Sequence, residues 1–278
     1  MSAPGGAVAP RVSVIMAAFN CVDTVAEAVE SIVAQTFEDW ELVVCDDCST
    51  DGTHELLRGL AAEHGDRFVL LRNEENSHLS FSLNRCLAVA RGELVARMDA
   101  DDVSLPKRLE TQVAFLDEHS DADLVGTAVR RFDASGPADI VRVPDAPDRF
   151  ALRDGVPFCH ATILTYRSVY EALGGYTVSP RTTRGQDYDL WFRFYHQGFK
   201  GRNLAEPLYL VREDRDAIRR RTFLSRVRLF RTTLIGYALL GYPARWYARP
   251  ALALLKAFLP GRLMLEYRRY QRWRAPSR

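Results

Sequence analysis

Residues 93–102 are Glu-Leu-Val-Ala-Arg-Met-Asp-Ala-Asp-Asp, a mostly apolar run that ends in three acids. The part up to Met98 has the length and apolarity of a buried strand. Asp99, Asp101 and Asp102 then place three carboxylates within four positions, and like charges this close repel unless a cation lies between them. Hard cations such as Mn²⁺ and Mg²⁺ favour oxygen ligands, and Mg²⁺ usually binds one or two carboxylates together with substrate phosphates. These residues therefore predict a strand that ends at a divalent metal site facing a diphosphate.

The three acids have two other interpretations, a solvated turn and a calcium loop. Acidic residues after a strand often form a solvated turn, so this interpretation has to be judged against the rest of the chain. A calcium loop of the EF-hand type needs an oxygen ligand at its fifth position and Gly at its sixth. Counted from Asp99, those positions hold Val103 and Ser104, which excludes the EF-hand.

Composition indicates one large globular domain, alone or with an appendage: 47% of the 278 residues are hydrophobic and 26% are charged. The five cysteines show no repeating pattern, and the Cys45-X-X-Cys48 pair has no second pair. We therefore expect reduced thiols in a cytoplasmic protein and no zinc site. Residues 1–10 lack the basic start and apolar core of a signal peptide and are predicted to be a disordered N-terminus.

The charge is divided unevenly along the chain. Residues 222–278 contain twelve Lys or Arg and one acid, Glu266, a net charge of +11, whereas the first 221 residues carry −10 of the overall +1. The longest uncharged stretch there, residues 232–244, is shorter than the roughly 20 residues that a spanning helix needs. Basic amphipathic helices with Trp and Tyr suit a membrane surface, which predicts a peripheral protein on the inner face of the cell membrane. The alternative is that these helices pack on the domain; interleaved leucines disfavour nucleic acid as the partner.

Strands and helices alternate along the first hundred residues. Residues 12–19 and 40–45 are near-continuous apolar runs, typical of strands buried on both faces of a parallel sheet. Thr24 to Glu27 has the sequence of a capping box that starts a helix. The alternation predicts an α/β fold with a doubly wound, mostly parallel sheet. Further predicted elements are helices over 54–63, 83–90 and 105–119 and a strand over 68–71.

Polar residues follow three of these strands: Asn20 the first, Asp46 and Asp47 the second, and Asp99 and Asp101 the fourth. Ligands of doubly wound sheets bind beyond the carboxyl ends of the strands. Three strand ends that deliver polar groups to one edge favour a binding site over a solvated turn. The first strand is not followed by Gly-X-Gly-X-X-Gly, which disfavours a dinucleotide site.

The second half of the chain has a different pattern. It predicts strands over 158–166 and 204–211, a loop over 136–149, a mobile polar flap over 178–185 and a helix over 187–197. The same half also contains a predicted strand over 124–132 and a short predicted helix that ends near residue 173.

Four motifs resemble family 2 glycosyltransferases, in the same order and at similar spacings: residues 13–20, residues 46–51, Asp99-Ala-Asp101, and Gln186-Asp187-Tyr-Asp-Leu-Trp191. The resemblance covers about residues 11–212 and supports a catalytic domain over 11–221 with an amphipathic helical tail over 222–278. It implies the glycosyltransferase A fold and inverting transfer from a nucleoside-diphosphate sugar. The Gln-X-X-Arg-Trp motif of processive synthases is absent, which favours addition of one sugar per encounter.

The resemblance also implies roles for single residues. Ala17 and Phe19 would flank the base, with Phe19 stacked on it, Asp47 would hydrogen-bond the base and Asp99 would reach the ribose. Asp101 would bind Mn²⁺ or Mg²⁺ and Asp187 would be the general base. Asn20 and Asn76 belong to the predicted nucleotide-sugar site. His160 would lie near the acceptor or be a buried structural histidine, and Arg181 and Arg184 would close over the phosphates or remain in a solvated loop.

Three positions depart from the family pattern. Cys48 and His78 stand where relatives commonly have Gly, and Gln186 replaces a Glu, so that Asp187 would act without that partner. The function expected is a metal-dependent inverting glycosyltransferase of cell-envelope or exopolysaccharide synthesis, with a glycan or lipid-linked acceptor. The alternatives are a sugar-nucleotide nucleotidyltransferase, which usually needs a glycine-rich loop after the first strand, and a catalytically degenerate membrane scaffold. The intact acids argue against the scaffold.

Overall fold

A computed structural model describes residues 9–133, 136–213 and 222–255. In this part of the chain, nine strands form one sheet, with a hydrophobic cluster and helices on each face. The strands are β1 Val12–Ala18, β2 Trp40–Asp46, β3 Phe68–Arg72, β4 Leu94–Asp99, β5 Val103–Ser104, β6 Leu124–Asp133, β7 Gly136–Val141, β8 Leu164–Tyr166 and β9 Gly201–Arg212. The α-helices are α1 Val25–Val33, α2 Thr53–His64, α3 His78–Val89, α4 Arg108–Glu118, α5 Arg167–Leu173, α6 Gln186–His196, α7 Phe223–Leu239 and α8 Ala248–Leu255.

The first four strands form the parallel sheet that the sequence predicts, in the order β3-β2-β1-β4. Along β1, Val14 belongs to the hydrophobic cluster on one face and Ile15 to the cluster on the other. Burial on both faces explains why the strand is apolar at all positions but Ser13. Ala17 lies opposite Cys45 of β2 and Asp99 of β4, so the three strands end level with one another.

Beyond β4 the sheet becomes mixed, in the order β4-β8-β6-β9-β5, with β7 paired to β6. Strand β8 is antiparallel to both β4 and β6, β9 is parallel to β6, and β5 is antiparallel to β9. The predicted α/β fold class is therefore confirmed, with the parallel arrangement concentrated in the first half of the chain.

The strand predicted over 158–166 is wrong for most of its length. Only Leu164–Tyr166 is a strand, and His160–Thr162 is a 3-10 turn. The side chain of Gln112 donates a 2.8 Å hydrogen bond to the carbonyl oxygen of Thr162. The Gln112 side chain thus provides the hydrogen bond that a neighbouring strand would provide to this carbonyl oxygen in a regular sheet.

Two further local predictions are corrected. The loop predicted over 136–149 begins as β7, which pairs antiparallel with β6. The capping box at the start of α1 does not form, because the Thr24 side chain makes no cap hydrogen bond to the helix. Thr24 Oγ1 instead donates to the carbonyl oxygen of Ala100 at 3.0 Å. This bond fixes the start of α1 to the acidic loop after β4.

The described residues of the predicted tail include helices α7 and α8, and α7 packs on α6. Gly236 of α7 lies against the ring of Phe192 on α6, and a methyl group at this position would overlap the ring. The outer side of α7 exposes three large apolar side chains, Phe223, Leu224 and Ile235, each about half exposed, together with Arg231.

None of the helices within 9–133, 136–213 and 222–255 is long and apolar enough to cross a membrane. Residues 256–278, where the rest of the predicted tail lies, are outside the described part of the chain, as are residues 1–8 of the predicted disordered N-terminus. The domain boundary at residue 221 and the membrane contact stay predictions.

Candidate active site

Hydrogen bonds join the loops that follow the first three strands. The backbone N–H of Asp47 donates to the carbonyl oxygen of Ala18 at 2.8 Å, and that of Asn73 donates to Asp46 at 2.8 Å. Asn20 accepts a hydrogen bond from the Thr50 backbone N–H at 2.9 Å through its side-chain oxygen. The carboxyl edge of the parallel sheet is therefore one connected surface, and Asn20 is one of its cross-links.

The predicted base-binding residues lie on this edge. Phe19 is 46% exposed, so its ring is free to stack on a ligand. Ala17 is half-buried at the end of β1, and Asn76 is exposed in the loop before α3. Contact of these residues with a nucleotide stays a prediction.

Asp47 supports the loop that precedes α3. Its Oδ1 accepts hydrogen bonds from Asn73 Nδ2 at 2.6 Å and from the Ser77 backbone N–H at 2.8 Å, and its Oδ2 accepts from the His78 N–H at 2.8 Å. The residue is 4% exposed, and its negative charge is favourable at the N-terminus of a helix. In this structure Asp47 positions the 76–78 loop; its predicted bond to a base remains untested.

The two departures from the family pattern near this loop keep the backbone conformation that glycine favours. Cys48 has φ +62° and His78 has φ +68°. This left-handed region costs a residue with a side chain about 1–2 kcal/mol. Both positions therefore hold strain beside the predicted base site.

Three carboxylates converge after β4. Ligand oxygens of Asp99, Asp101 and Asp102 lie within 4.8 Å of one another. Oxygens on opposite sides of one ion, at metal–oxygen distances of about 2.0–2.5 Å, are about 4–5 Å apart, so the cluster fits a hard divalent cation. A single backbone bond holds the innermost acid in place, since Asp102 Oδ1 accepts from the Arg212 N–H of β9 at 2.8 Å.

The charges of this cluster are incompletely balanced. Burial, followed by the neighbouring charges of Asp99 and Asp101, raises the pKa of Asp102 to about 8. Burial and the charge of Asp99 also raise the pKa of Asp101. Carboxylates that resist ionisation in this way gain from a bound cation, which agrees with the metal site that the sequence predicts.

Sequence analysis missed Arg97, whose guanidinium lies under the cluster. Its side chain is 3% exposed and forms an ion pair with Asp99 through Nη1, while Nε has no hydrogen-bond partner among the described residues. Arg97 precedes Asp99 by two residues on β4 and so shares its face of the sheet. A charged residue inside the apolar run Leu-Val-Ala-Arg-Met was the signal that could have found it.

The predicted general base reaches the same site from another element. Asp187 lies in the first turn of α6, directly after a left-handed turn at Gly185 with φ +85°. Burial raises the pKa of Asp187, while the charge of Arg97 opposes this shift and that of Asp99 adds to it. These charges act on Asp187 because the fold brings the start of α6 to the end of β4.

His160 is part of a chain of buried rings. Its Nε2 lies 2.8 Å from the hydroxyl of Tyr176, which lies 2.9 Å from the hydroxyl of Tyr170. Burial and the nearby Arg97 hold the pKa of His160 well below its usual value, so the imidazole is neutral. The geometry gives this histidine a structural partner, and contact with an acceptor stays a prediction.

The predicted flap is partly ordered by its own contacts. Residues Pro180–Thr182 form a 3-10 turn, and Thr182 is 1% exposed. Arg181 Nη1 forms a 2.5 Å ion pair with Asp189 Oδ1, which holds Arg181 away from a phosphate role in this structure. Arg184 is exposed and remains the candidate for that role.

A mixed α/β sheet with a carboxylate cluster beyond β4 and a carboxylate at the start of α6 defines the class of glycosyltransferases with the glycosyltransferase A fold. The comparisons with known proteins agree: the Glycosyl transferase family 2 pattern matches residues 13–174, and this chain belongs to that family. The assignment replaces the nucleotidyltransferase alternative.

Individual relatives are consistent with this assignment. The chain is 44% identical over 266 residues to the "Putative glycosyltransferase EpsE" of Bacillus subtilis (strain 168), covering 93% of each chain. It is 26% identical to the "UDP-Glc:alpha-D-GlcNAc-diphosphoundecaprenol beta-1,3-glucosyltransferase WfaP" of Escherichia coli, covering 72% of this chain and 77% of that protein. The crystal structure of S. aureus TarS 1-349 in complex with UDP-GlcNAc has the same fold, with a TM-score of 0.69 at 18% identity over 89% of this chain and 73% of that chain.

Proposed function

We propose that the protein is a metal-dependent, inverting glycosyltransferase that adds one sugar from a nucleoside-diphosphate sugar to an acceptor hydroxyl. The observation that carries this proposal is the meeting of two sets of acids. Asp99, Asp101 and Asp102 come from the end of β4, and Asp187 comes from α6. A metal-binding cluster for the diphosphate beside a separate carboxylate for the acceptor is what a single in-line displacement requires.

On the donor side, the exposed ring of Phe19 would stack on the base, next to Ala17, Asn20 and the Asn76 loop that Asp47 supports. Asp101 would bind Mn²⁺ or Mg²⁺, with Asp99 and Asp102 close enough to share it. When bound, the metal would neutralise the charge that develops on the leaving diphosphate. Exposed Arg184 could add to this neutralisation from the 178–185 segment.

On the acceptor side, an oxygen of Asp187 would accept the proton of the attacking hydroxyl. A carboxylate in water is a weak base, and a raised pKa makes it a stronger one. Burial of Asp187 raises its pKa in this way, while the charge of Arg97 opposes the shift. Attack from the face opposite the diphosphate would invert the anomeric carbon.

We also propose that the acceptor is a cell-envelope or exopolysaccharide precursor, either a glycan or a lipid-linked sugar. Two features support contact with the anionic inner face of the cell membrane. They are the exposed apolar side chains of α7 and the twelve basic residues of the tail. WfaP acts, by its name, on a diphosphoundecaprenol acceptor, which supports a lipid-linked acceptor here.

Thermal-shift titration with UDP, GDP, dTDP and CMP, each with and without Mn²⁺, tests the donor proposal. A ligand that binds only the folded protein raises its melting temperature by mass action. We expect a shift with one nucleoside diphosphate that depends on Mn²⁺ and is lost in Asp101→Ala. Asp121→Ala, which removes an exposed acid in the turn after α4, is the matched control and should keep the shift. Folded protein that responds to none of these nucleotides would contradict the proposal and favour the degenerate scaffold.

A further inference from the structure

A groove of about 600 Å³ lies between α7, α8 and the 3-10 segment Arg149–Arg153. The donor and base roles proposed above do not use it. Its walls combine basic and apolar side chains.

The basic wall carries more positive than negative charge. Arg153, Arg226 and Arg249 line the groove together with one acid, Asp154. Asp154 forms ion pairs with Arg249 and with Arg153, while Arg226 has no ion pair within the described residues. The surplus favours an anionic ligand, and Arg226 is the cation available to bind it.

The apolar wall is open to solvent. Leu229 of α7 is 37% exposed and Leu252 of α8 is 55% exposed, and both line the groove with Phe230 and Leu254. A small hydrophilic anion would leave this wall uncovered, and a neutral lipid would leave Arg226 unpaired. An amphiphile with a charged head and a hydrocarbon chain satisfies both walls.

The groove reaches the element that carries the proposed base. Tyr188, which follows Asp187 directly, lines it. Leu229 also packs on the turn before α6, since a Cβ at Gly185 would lie 2.9 Å from its Cδ1. A ligand in the groove would therefore lie about one side chain away from the first turn of α6.

We propose that this groove binds the diphosphate and the first prenyl units of a polyprenyl-diphosphate-linked acceptor. Arg226 binds the diphosphate, Leu229 and Leu252 cover the prenyl chain, and the sugar extends past Tyr188 toward Asp187. This inference rests on the proposed glycosyltransferase reaction with a lipid-linked acceptor and gives that acceptor a site. It also gives α7 a second role besides packing on α6.

Binding of farnesyl diphosphate to the full-length protein tests the groove without knowledge of the acceptor sugar. We expect farnesyl diphosphate to bind at least tenfold more tightly than either farnesol or inorganic diphosphate in isothermal titration calorimetry, because only it uses both walls. Arg226→Gln should weaken it by roughly tenfold, in line with the loss of one charge-assisted hydrogen bond. Leu252→Ser should weaken farnesyl diphosphate and leave inorganic diphosphate unchanged.

Arg231→Gln is the matched control, because Arg231 is exposed on another side of α7 and does not line the groove. It should bind farnesyl diphosphate as the unaltered protein does. Equal affinity for farnesyl diphosphate and inorganic diphosphate, or equal weakening by both arginine substitutions, would overturn the proposal by showing a general attraction of anions.

The Mn²⁺-dependent nucleotide shift separates this proposal from the one on which it rests. We expect Arg226→Gln to keep that shift while its affinity for farnesyl diphosphate falls by roughly tenfold. If the unaltered protein shows no nucleotide shift, the donor proposal fails, whatever the groove binds. If the nucleotide shift is present and Arg226→Gln binds farnesyl diphosphate normally, the groove proposal alone fails.

Discussion

The two sides of the site are built in different ways. In the first part of the chain, residues 9–104, side chains hold backbone: Asn20 binds the Thr50 N–H, and Asp47 binds the N–H groups of Ser77 and His78. In the last part, residues 157–213 and 222–255, rings pack on one another: a chain of rings runs from His160 through Tyr176 to Tyr170, and Phe192 of α6 packs on Tyr237 of α7.

This difference indicates how far each side of the site tolerates changes in sequence. Backbone held by hydrogen bonds to a buried acceptor such as Asp47 keeps one geometry, because breaking such a bond leaves a polar group unsatisfied. Packed rings tolerate exchange for other apolar groups of similar volume. We infer that the first part offers a fixed frame for a nucleotide, whereas the last part can be reshaped for different acceptors without changing that frame.

The largest expected effect is a loss of activity that leaves nucleotide binding by the first part of the chain unchanged. Asp187→Asn removes the proposed base, and general-base catalysis typically contributes about 10²–10⁴ in rate, so we expect kcat to fall by that range. The nucleotide-induced shift in melting temperature should be unchanged. Steady-state kinetics with the identified donor measures the first expectation and thermal shift the second.

The pH dependence sharpens the same prediction. Burial raises the pKa of Asp187, so the base becomes protonated, and activity falls, at a higher pH than for an exposed aspartate. The apparent pKa of the acid limb in the profile of kcat/KM against pH should therefore lie above the ordinary pKa range of Asp. This limb should be absent from the residual activity of Asp187→Asn. Glu171→Gln, an exposed carboxylate on α5, should retain the limb. A full rate in Asp187→Asn would exclude this residue as the base.

Sequence analysis succeeded where one physical rule dominates. In the first part, buried parallel strands are mostly apolar and end level, so β1, β2 and the acids after β4 could be predicted. In the last part, the short strand β8 pairs with β4 and β6, which lie far from it in sequence. Its 3-10 approach depends on a contact from Gln112, which no local pattern contains.

The site residues follow the same division. The sequence pattern pointed to Asp99, Asp101 and Asp187 because their motifs are local, and their roles stay predictions. It missed Arg97 as a counter-ion: the charged residue inside the apolar run was a signal, but its ion pair with Asp99 is visible only in the structure. It also predicted a phosphate role for Arg181, whose pairing with Asp189 depends on how the turn before α6 folds.

A pair of glycine substitutions tests the comparison through stability. Gly236→Ala in α7 places a methyl group into the ring of Phe192, which is 1% exposed. Overpacking of this kind typically costs about 1–3 kcal/mol, from which the higher helix propensity of Ala recovers up to about 1 kcal/mol. We expect a net loss of unfolding free energy, measured by urea denaturation.

Gly59→Ala in α2 is the matched change in the first part. A methyl group there meets nothing within 4 Å, so we expect the gain of about 0.5–1 kcal/mol that Ala brings to a helix interior. If Gly236→Ala were as stabilising as Gly59→Ala, α7 would not be packed on α6 as described, and its assignment to the fold of the last part would be wrong.

The smallest expected effect concerns strain within the fixed frame. His78 holds φ +68° at the start of α3, and Gly adopts this conformation without the cost of about 1–2 kcal/mol that a side chain incurs. Part of that gain is lost because Gly has more freedom in the unfolded chain, so His78→Gly should raise the unfolding free energy by roughly 0.5–1 kcal/mol. Leu79→Gly, one position further into α3 and without positive φ, should lower it. If Asp47, and not the His78 side chain, fixes the frame, His78→Gly should keep the affinity for the nucleotide. A large loss of affinity would instead make His78 a ligand contact. Part of the nucleotide specificity of the first part would then lie in the His78 side chain.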